Sequence, residues 1–249
     1  MRAVAVAHPN VALIKYWGKR ASLGNLPATG SLSLVLGGLA THTSVEFDPG
    51  LASDQVLLDG REDAVTSTRV SACLDELRHA AGVSTRARVD SRNDFPTGAG
   101  LASSAAGFAA LAMAGAGALG LRLPPDRLAE IARLGSGSAA RSLQGGVVLL
   151  TNEGETTRCV QVAAPADWPL CVVVAVTTDG AKEISSRRGM VLSEETSPYY
   201  DAWVATHAAD LEAGASAVHD RNFDALAEIS EHNCLKMHAV MLTTRPPLI

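Results

Sequence analysis

The sequence predicts an α+β fold, with a β-rich N-terminal part and a helical C-terminal part divided near Asp167. Three observations carry this. Short runs rich in Val, Leu and Thr alternate with turn residues through the first half. A glycine-containing loop at 96–105 leads directly from a strand-like segment into an Ala-rich helix. After Trp168-Pro169 the pattern gives way to two long helical stretches.

The elements follow in order. Val4–Ala7, Val11–Tyr16, Ser31–Leu36 and Thr41–Phe47 read as strands, and Gly37-Gly38 offers a hairpin turn between the last two. Ala64–Ala80 places Val65, Val70, Cys73, Leu74 and Leu77 at roughly helical spacing. A strand near Ala87–Asp90, the loop, and a helix over Leu101–Ala118 come next. Pro124-Pro125-Asp126 opens another helix through about Leu134, because proline suits a first helical turn. Gly145–Leu150 reads as a strand and Cys171–Val176 as a buried one. A polar loop over Thr177–Gly189 precedes helices at about Ser197–Val218 and Asn222–Leu242.

Composition narrows the class. Of 249 residues, 47% are hydrophobic but only 4% aromatic, so the core must rest on Ala, Val and Leu. A net charge of −5 supplies no basic field, which argues against a nucleic-acid partner. Cys73, Cys159, Cys171 and Cys234 are scattered without metal or redox spacing and are expected to be buried thiols in a reducing cytosol. The N-terminus reaches His8-Pro9 too soon for a signal peptide, and the longest apolar run, Leu170–Val176, is far short of a membrane span. A soluble, cytoplasmic protein is expected.

Chemistry concentrates in four segments. Pro96-Thr97-Gly98-Ala99-Gly100-Leu101-Ala102-Ser103-Ser104-Ala105 joins a tightly curled backbone to a helix N-terminus, where unpaired N–H groups and the dipole favour an anion. Ser103 and Ser104 add hydroxyls for a phosphate oxygen or a metal-bound water. The spacing is neither the Walker form nor the dinucleotide motif. A plain capping turn is the alternative. Lys15-Tyr16-Trp17-Gly18-Lys19-Arg20 gathers two of the four lysines at one strand end, suited to a polyanion unless it is only a solvated edge. Gly135-Ser136-Gly137-Ser138-Ala139-Ala140-Arg141 sets two hydroxyls beside a guanidinium able to grip a carboxylate through two parallel bonds, unless it is only a capped short helix with Arg141 in a surface ion pair. Lys182 to Met190 reads as a cationic, hydroxyl-bearing loop that either closes over phosphates or is merely mobile. On the last helix, Met237, Val240 and Met241 read as core and His238 as a structural histidine.

The loop at 96–105 resembles the Pro-x-Gly-x-Gly-Leu-x-Ser-Ser-Ala signature of the GHMP kinase superfamily. Asn10–Arg20, Asn93–Ser104, Gly135–Gly146, Ser185–Met190 and Leu235–Pro246 together resemble its diphosphomevalonate decarboxylase branch over nearly the whole chain. Asp94 stands where a second Asn is usual and Gly98 where Ala is usual. The resemblance implies a GHMP kinase-like two-subdomain fold. Residues 1–167 would form an ATP-binding part like domain 2 of ribosomal protein S5, and 168–249 an incomplete helical, ferredoxin-like part. It implies conversion of mevalonate 5-diphosphate and ATP to isopentenyl diphosphate, ADP, phosphate and CO2. Tyr16, Lys19, Ser136, Ser138, Arg141 and Arg187 would bind substrate, with Lys19, Ser136 and Arg141 catalytic. Ser91, Asn93, Gly98, Ala99, Gly100, Leu101, Ala102, Ser103, Ser104, Lys182 and Ser186 would hold ATP, and Ser103 would meet Mg²⁺. Family analogy also implies a homodimer. The family's catalytic aspartate lies in an Asp-Ala-Gly-Pro-Asn motif that these 249 residues do not contain, and neither Asp94 nor Asp179 stands in its context. Low activity is therefore expected of a chain read as truncated. The rival expectations are a sibling that only phosphorylates the 3-hydroxyl, one acting on the monophosphate, or a non-catalytic nucleotide-binding protein.

Overall fold

The computed structural model describes residues 1–20, 25–96, 100–175 and 184–249. Strands β1 (Arg2–Ala7), β2 (Asn10–Ile14), β3 (Ser31–Val35), β4 (Thr41–Phe47) and β5 (Gln55–Leu58) come first. Helix α1 (Ala64–Ala81), β6 (Ala87–Asn93), α2 (Ser103–Ala118), α3 (Pro125–Gly135) and a 3-10 turn at Ala139–Leu143 follow. β7 (Val147–Glu153), β8 (Thr156–Ala163), α4 (Ser186–Thr196), α5 (Tyr200–His219) and α6 (Phe223–Thr243) complete the order. The chain forms two compact units. One comprises Met1–Asn10 with Leu36–Leu143, the other Val11–Val35 with Gln144–Ile249.

In the first unit the sheet runs β1-β4-β6-β5, antiparallel except for the parallel β5–β6 pair. Alternation in β4 turns Val45 and Phe47 inward, and β6 adds Ala87 and Val89. α1 is held at both ends. Asp63 accepts from the Val65 and Thr66 amides, and Gly82 closes the helix in the left-handed region, donating to the Arg78 and His79 carbonyls. Its Val70, Cys73, Leu74 and Leu77 fill the core, whereas Val65, expected on the same stripe, lies in the first turn and is exposed. Helix α2 packs on β1 and β4 and is buried nearly all round, as its Ala-rich sequence requires. At Gly115 a Cβ would stand 2.5 Å from Leu77 Cδ1, so glycine permits the close approach of α1.

In the second unit the order is β2-β3-β7-β8. Ile14, Leu32, Leu34 and Val147 pack with Ala217, Val218 and Leu226 of α5 and α6. Gly214 admits Ile14, since a Cβ there would lie 2.7 Å from Ile14 Cγ1.

The structure corrects several expectations. Gly37-Gly38 forms a turn, but β3 pairs with β7 and β4 with β1 and β6, so no hairpin joins β3 to β4. A local turn signal does not specify the partner strand. Residues 171–175 join no sheet and Val173 is 94% exposed, so the buried strand expected at Cys171–Val176 is absent over its described part. A short apolar run becomes a strand only with a ladder to join. The loop expected up to Gly189 ends earlier, because Ser185 caps α4 by accepting from the Arg188 amide. Cys73 and Cys159 are buried, Cys171 exposed and Cys234 half-buried, so only two of the four thiols sit where all were expected. No described helix is long and apolar enough to cross a membrane.

Candidate active site

The loop before α2 bends through Gly100 (φ 85°) and Ala102 (φ 54°), while Gly98 and Ala99 lie outside the described residues. A left-handed alanine is costly, about 1–2 kcal/mol, and such strain gathers where a backbone must serve a ligand. Ala102 gives α2 no side-chain cap, so the first turn keeps its dipole toward the loop. Ser103 and Ser104 stand in that turn and line a cavity of about 270 Å³ together with Ser91 and Asn93. Val56, Leu57, Val89, Phe108 and Leu111 give this cavity apolar walls. Ser91 is fixed by Thr43 (Oγ to Oγ 2.8 Å), and the Asn93 amide donates to Asp59 at 3.3 Å while accepting from Thr41 at 2.5 Å. Thus four of the residues expected to hold a nucleotide, Ser91, Asn93, Ser103 and Ser104, line one apolar-walled space.

Phe108 and Arg69 join this space without a signal in the sequence. Arg69 lies over the Phe108 ring at 4.6 Å and donates from both Nε (2.9 Å) and Nη2 to the Gly135 carbonyl. A Cβ on Gly135 would overlap the same ring, so glycine is required where α3 ends. Beyond it the 3-10 turn brings up the second cluster. Ser136 Oγ lies 3.2 Å from Ser104 Oγ and 3.2 Å from Ser138 Oγ, a line of hydroxyls leading away from the first turn of α2. Arg141 is only 2% exposed, and its Nε donates to Asn10 Oδ1 at 3.1 Å. Asn10 in turn donates from Nδ2 to the Ser138 carbonyl (3.2 Å) and to Ser142 Oγ (2.8 Å). The N-terminal motif gives Asn10 no role; the structure makes it the residue that aims Arg141. A guanidinium so deep in the fold, oriented by a neutral amide, suits a carboxylate brought by a ligand.

Tyr16, Lys19, Ser186 and Arg187 belong to the other unit. Lys19 Nζ donates to Asn25 Oδ1 at 2.7 Å, and its backbone bridges to Pro27. Trp17 is pinned from two sides: its Nε1 donates to Ser193 Oγ at 3.0 Å, and its carbonyl accepts from Trp203 Nε1 at 2.9 Å. Gly18 has φ 107°, and a Cβ there would overlap the Tyr200 hydroxyl, whose pKa burial raises to about 12 with Glu194 adding to it. Ser186 and Arg187 occupy the exposed first turn of α4, and Lys182 lies outside the described residues. Among the described residues no group of three or more His, Cys, Asp or Glu is arranged to hold a metal.

Residues 7–161 match the diphosphomevalonate decarboxylase-like N-terminal domain, and residues 172–249 the mevalonate 5-diphosphate decarboxylase C-terminal domain. The chain belongs to the diphosphomevalonate decarboxylase family. It is 37% identical to the diphosphomevalonate decarboxylase of Ganoderma lucidum over 99% of this chain and 67% of that protein. The structure of MDDEF in complex with MVAPP, AMPPCP and magnesium superimposes with a TM-score of 0.86 at 37% identity, covering 99% of this chain and 77% of the other. The mevalonate diphosphate decarboxylase from Trypanosoma brucei gives 0.89 at 31% identity, covering 100% and 69%. The α+β fold expected from the sequence is that of this family.

Proposed function

We propose that the chain serves ATP-dependent decarboxylation of mevalonate 5-diphosphate to isopentenyl diphosphate, the step in isoprenoid biosynthesis that its family name describes. The observation that carries this is the line Ser104–Ser136–Ser138 beside the buried Arg141–Asn10 pair. It joins the N-terminus of a helix at an apolar-walled cavity to a buried guanidinium that would fix a carboxylate.

The base of ATP would occupy the apolar cavity, with Ser91 and Asn93 at its polar wall. Its phosphates would lie along the loop 98–104, with Lys182 and Ser186 completing their binding. The residues fit Mg²⁺-ATP in one respect: hydroxyls and an uncapped helix start face the proposed phosphate position. Magnesium would be carried by the phosphates, with Ser103 Oγ offering a protein oxygen. ATP supplies the γ-phosphoryl group for the tertiary 3-hydroxyl. Ser136 and Ser138 would hold that hydroxyl, and Arg141 would keep the carboxylate in line with the C–O bond that breaks. As the 3-phosphate leaves, the C–C bond electrons form the alkene and CO2 departs. Tyr16, Lys19 and Arg187 would neutralise the diphosphate, which is chiefly positioning and electrostatic work. No residue of these 249 is assigned to accept the hydroxyl proton.

A division near residue 167, a cytoplasmic location and a homodimer belong to the same proposal. The gap between the two matched family models supports the first. The lack of a membrane-crossing helix among the described residues is consistent with the second, and family analogy alone supports the third.

The test is incubation with Mg²⁺-ATP and mevalonate 5-diphosphate labelled at the carboxylate, following ADP, phosphate and CO2. Equal release of all three is expected. ADP without CO2 would convert the reading to a 3-kinase. Calorimetry showing no binding of either ligand would remove it.

A further inference from the structure

We infer that Asn233, held by Asp210 and Lys236, is a positioning residue that sets the direction of the Tyr16–Lys19 segment for diphosphate binding. This rests on the assignment of Tyr16 and Lys19 to the substrate.

Strand β2 ends at Ile14, so the next amide has left the ladder and needs another acceptor. Asn233 Oδ1 supplies it, accepting from the Lys15 N–H at 2.7 Å. Asn233 is fully buried in the middle of α6. Its Nδ2 donates to Asp210 Oδ2 on α5 at 2.7 Å, and the same oxygen accepts from Lys236 Nζ at 2.7 Å. The amide therefore has one workable orientation: reversed, it would set an NH2 against the Lys15 N–H and a carbonyl oxygen against a carboxylate. Burial pushes the Asp210 carboxyl up, but the Lys236 and Asn233 bonds outweigh this and hold it below its ordinary value. The carboxylate thus stays charged and keeps Asn233 aimed.

What Asn233 fixes at Lys15 is fixed again at Trp17 by Trp203 and Ser193. Lys15 and Trp17 are thereby clamped by Ser193 of α4, Trp203 of α5 and Asn233 of α6, and Tyr16 and Lys19 take their directions from that clamp. A buried ion pair is a poor source of stability compared with packed apolar groups, but its value lies in specifying one geometry. Misplacing a binding group by about 1 Å is enough to cost ~100-fold.

The experiment compares Asn233→Ala, Lys19→Met and a double exchange in which Asp210→Asn is combined with Asn233→Asp. Calorimetry measures mevalonate 5-diphosphate and Mg²⁺-AMPPCP separately, alongside thermal unfolding. Asn233→Ala should weaken mevalonate 5-diphosphate by about 10-fold or more while leaving AMPPCP unchanged. The exchange should recover most of the affinity. In it the amide now on α5 can donate to the carboxylate now on α6, and that carboxylate still accepts from the Lys15 N–H. A lower melting temperature with unaltered mevalonate 5-diphosphate affinity in Asn233→Ala would overturn the role, as would an exchange variant that folds and stays weak. Should Asn233→Ala not fold, the exchange variant alone decides. Loss in Lys19→Met but not in Asn233→Ala removes the positioning role only, whereas loss in neither removes the substrate assignment beneath it as well.

Discussion

Replacing Arg141 by lysine keeps the charge and removes the fork, and so tests the centre of the proposed site. The structural cost comes first. Arg141 Nε satisfies Asn10 Oδ1, and Asn10 is 4% exposed with its amide hydrogens already given to the Ser138 carbonyl and Ser142 Oγ. Lysine has no Nε, so a buried acceptor is left unpaired at about 1–3 kcal/mol. For a chain of this size that lowers the melting temperature by roughly 2–12 °C. The functional cost is separate. A carboxylate held by two parallel charge-assisted bonds falls back to a single point charge, a loss of about 1.5–3 kcal/mol, or roughly 10- to 150-fold in affinity. Calorimetric titration with mevalonate 5-diphosphate reads the second effect, thermal unfolding the first, and a titration with Mg²⁺-AMPPCP serves as the control. AMPPCP should bind as before. If it is the nucleotide whose affinity collapses while mevalonate 5-diphosphate binds normally, Arg141 faces the phosphates of ATP and its assignment is wrong.

Ser103→Ala should weaken Mg²⁺-AMPPCP by ~1–3 kcal/mol in the same titration; an unchanged constant would place the phosphates away from the first turn of α2. Gly107 lines the cavity and a Cβ there meets nothing within 4 Å, so Gly107→Ala should stabilise α2 by about 0.5–1 kcal/mol, whereas Gly107→Leu should intrude into the cavity and abolish nucleotide binding. Full nucleotide affinity in the leucine variant would show that the base lies elsewhere. Stability should also depend on pH through His207. Burial holds this imidazole below its ordinary value of 6.5, and Lys236 acts in the same direction against the Gly30 bond and Asp210. The unfolded chain therefore takes up a proton at a higher pH than the folded one does. The contribution is intact above about 6.5 and is lost as pH falls toward the folded value. The melting temperature should decline below about pH 6.5, and less steeply in His207→Gln; equal slopes would remove His207 as the cause.

Much of the fold could be read because the signals were local. α1 shows its apolar stripe, α3 its opening prolines and α2 its Ala-rich run. β5 escaped because four residues with one buried side chain, Val56, carry too little periodicity to stand out. β8 did carry a signal: Thr157 and Cys159 alternate with exposed neighbours just after Gly154, which turns through φ 63°. Strand pairing was beyond reach. Nothing near Gly37-Gly38 says that β3 finds its partner at Val147–Leu150 instead of Thr41–Phe47. The exposed run at 171–175 fails for the same reason, since apolar residues announce strand propensity and not the presence of a neighbour.

The site divides in a similar way. Clusters of hydroxyls and cations could be found because function repeats residue types within a few positions. Asn233 could not, since a lone asparagine on a helix is ordinary until its partners are known, and Asn10 opens a motif that gives it no role of its own. Gly135 shows how a correct motif can hide its physical reason. In sequence it reads as part of a small-residue turn freeing amides for a ligand. In the structure its missing Cβ makes room for the Phe108 ring, and its carbonyl takes the guanidinium of Arg69 that lies over that ring. Phe108 is also a wall of the cavity, so one glycine couples the shape of the proposed nucleotide site to the turn that carries Ser136 and Ser138. An alanine at this position would push Phe108 into the cavity or the serine turn away from Ser104. Either movement would separate Ser104 from Ser136 and Ser138, so on the proposed reading this glycine positions the serines even though it touches no substrate.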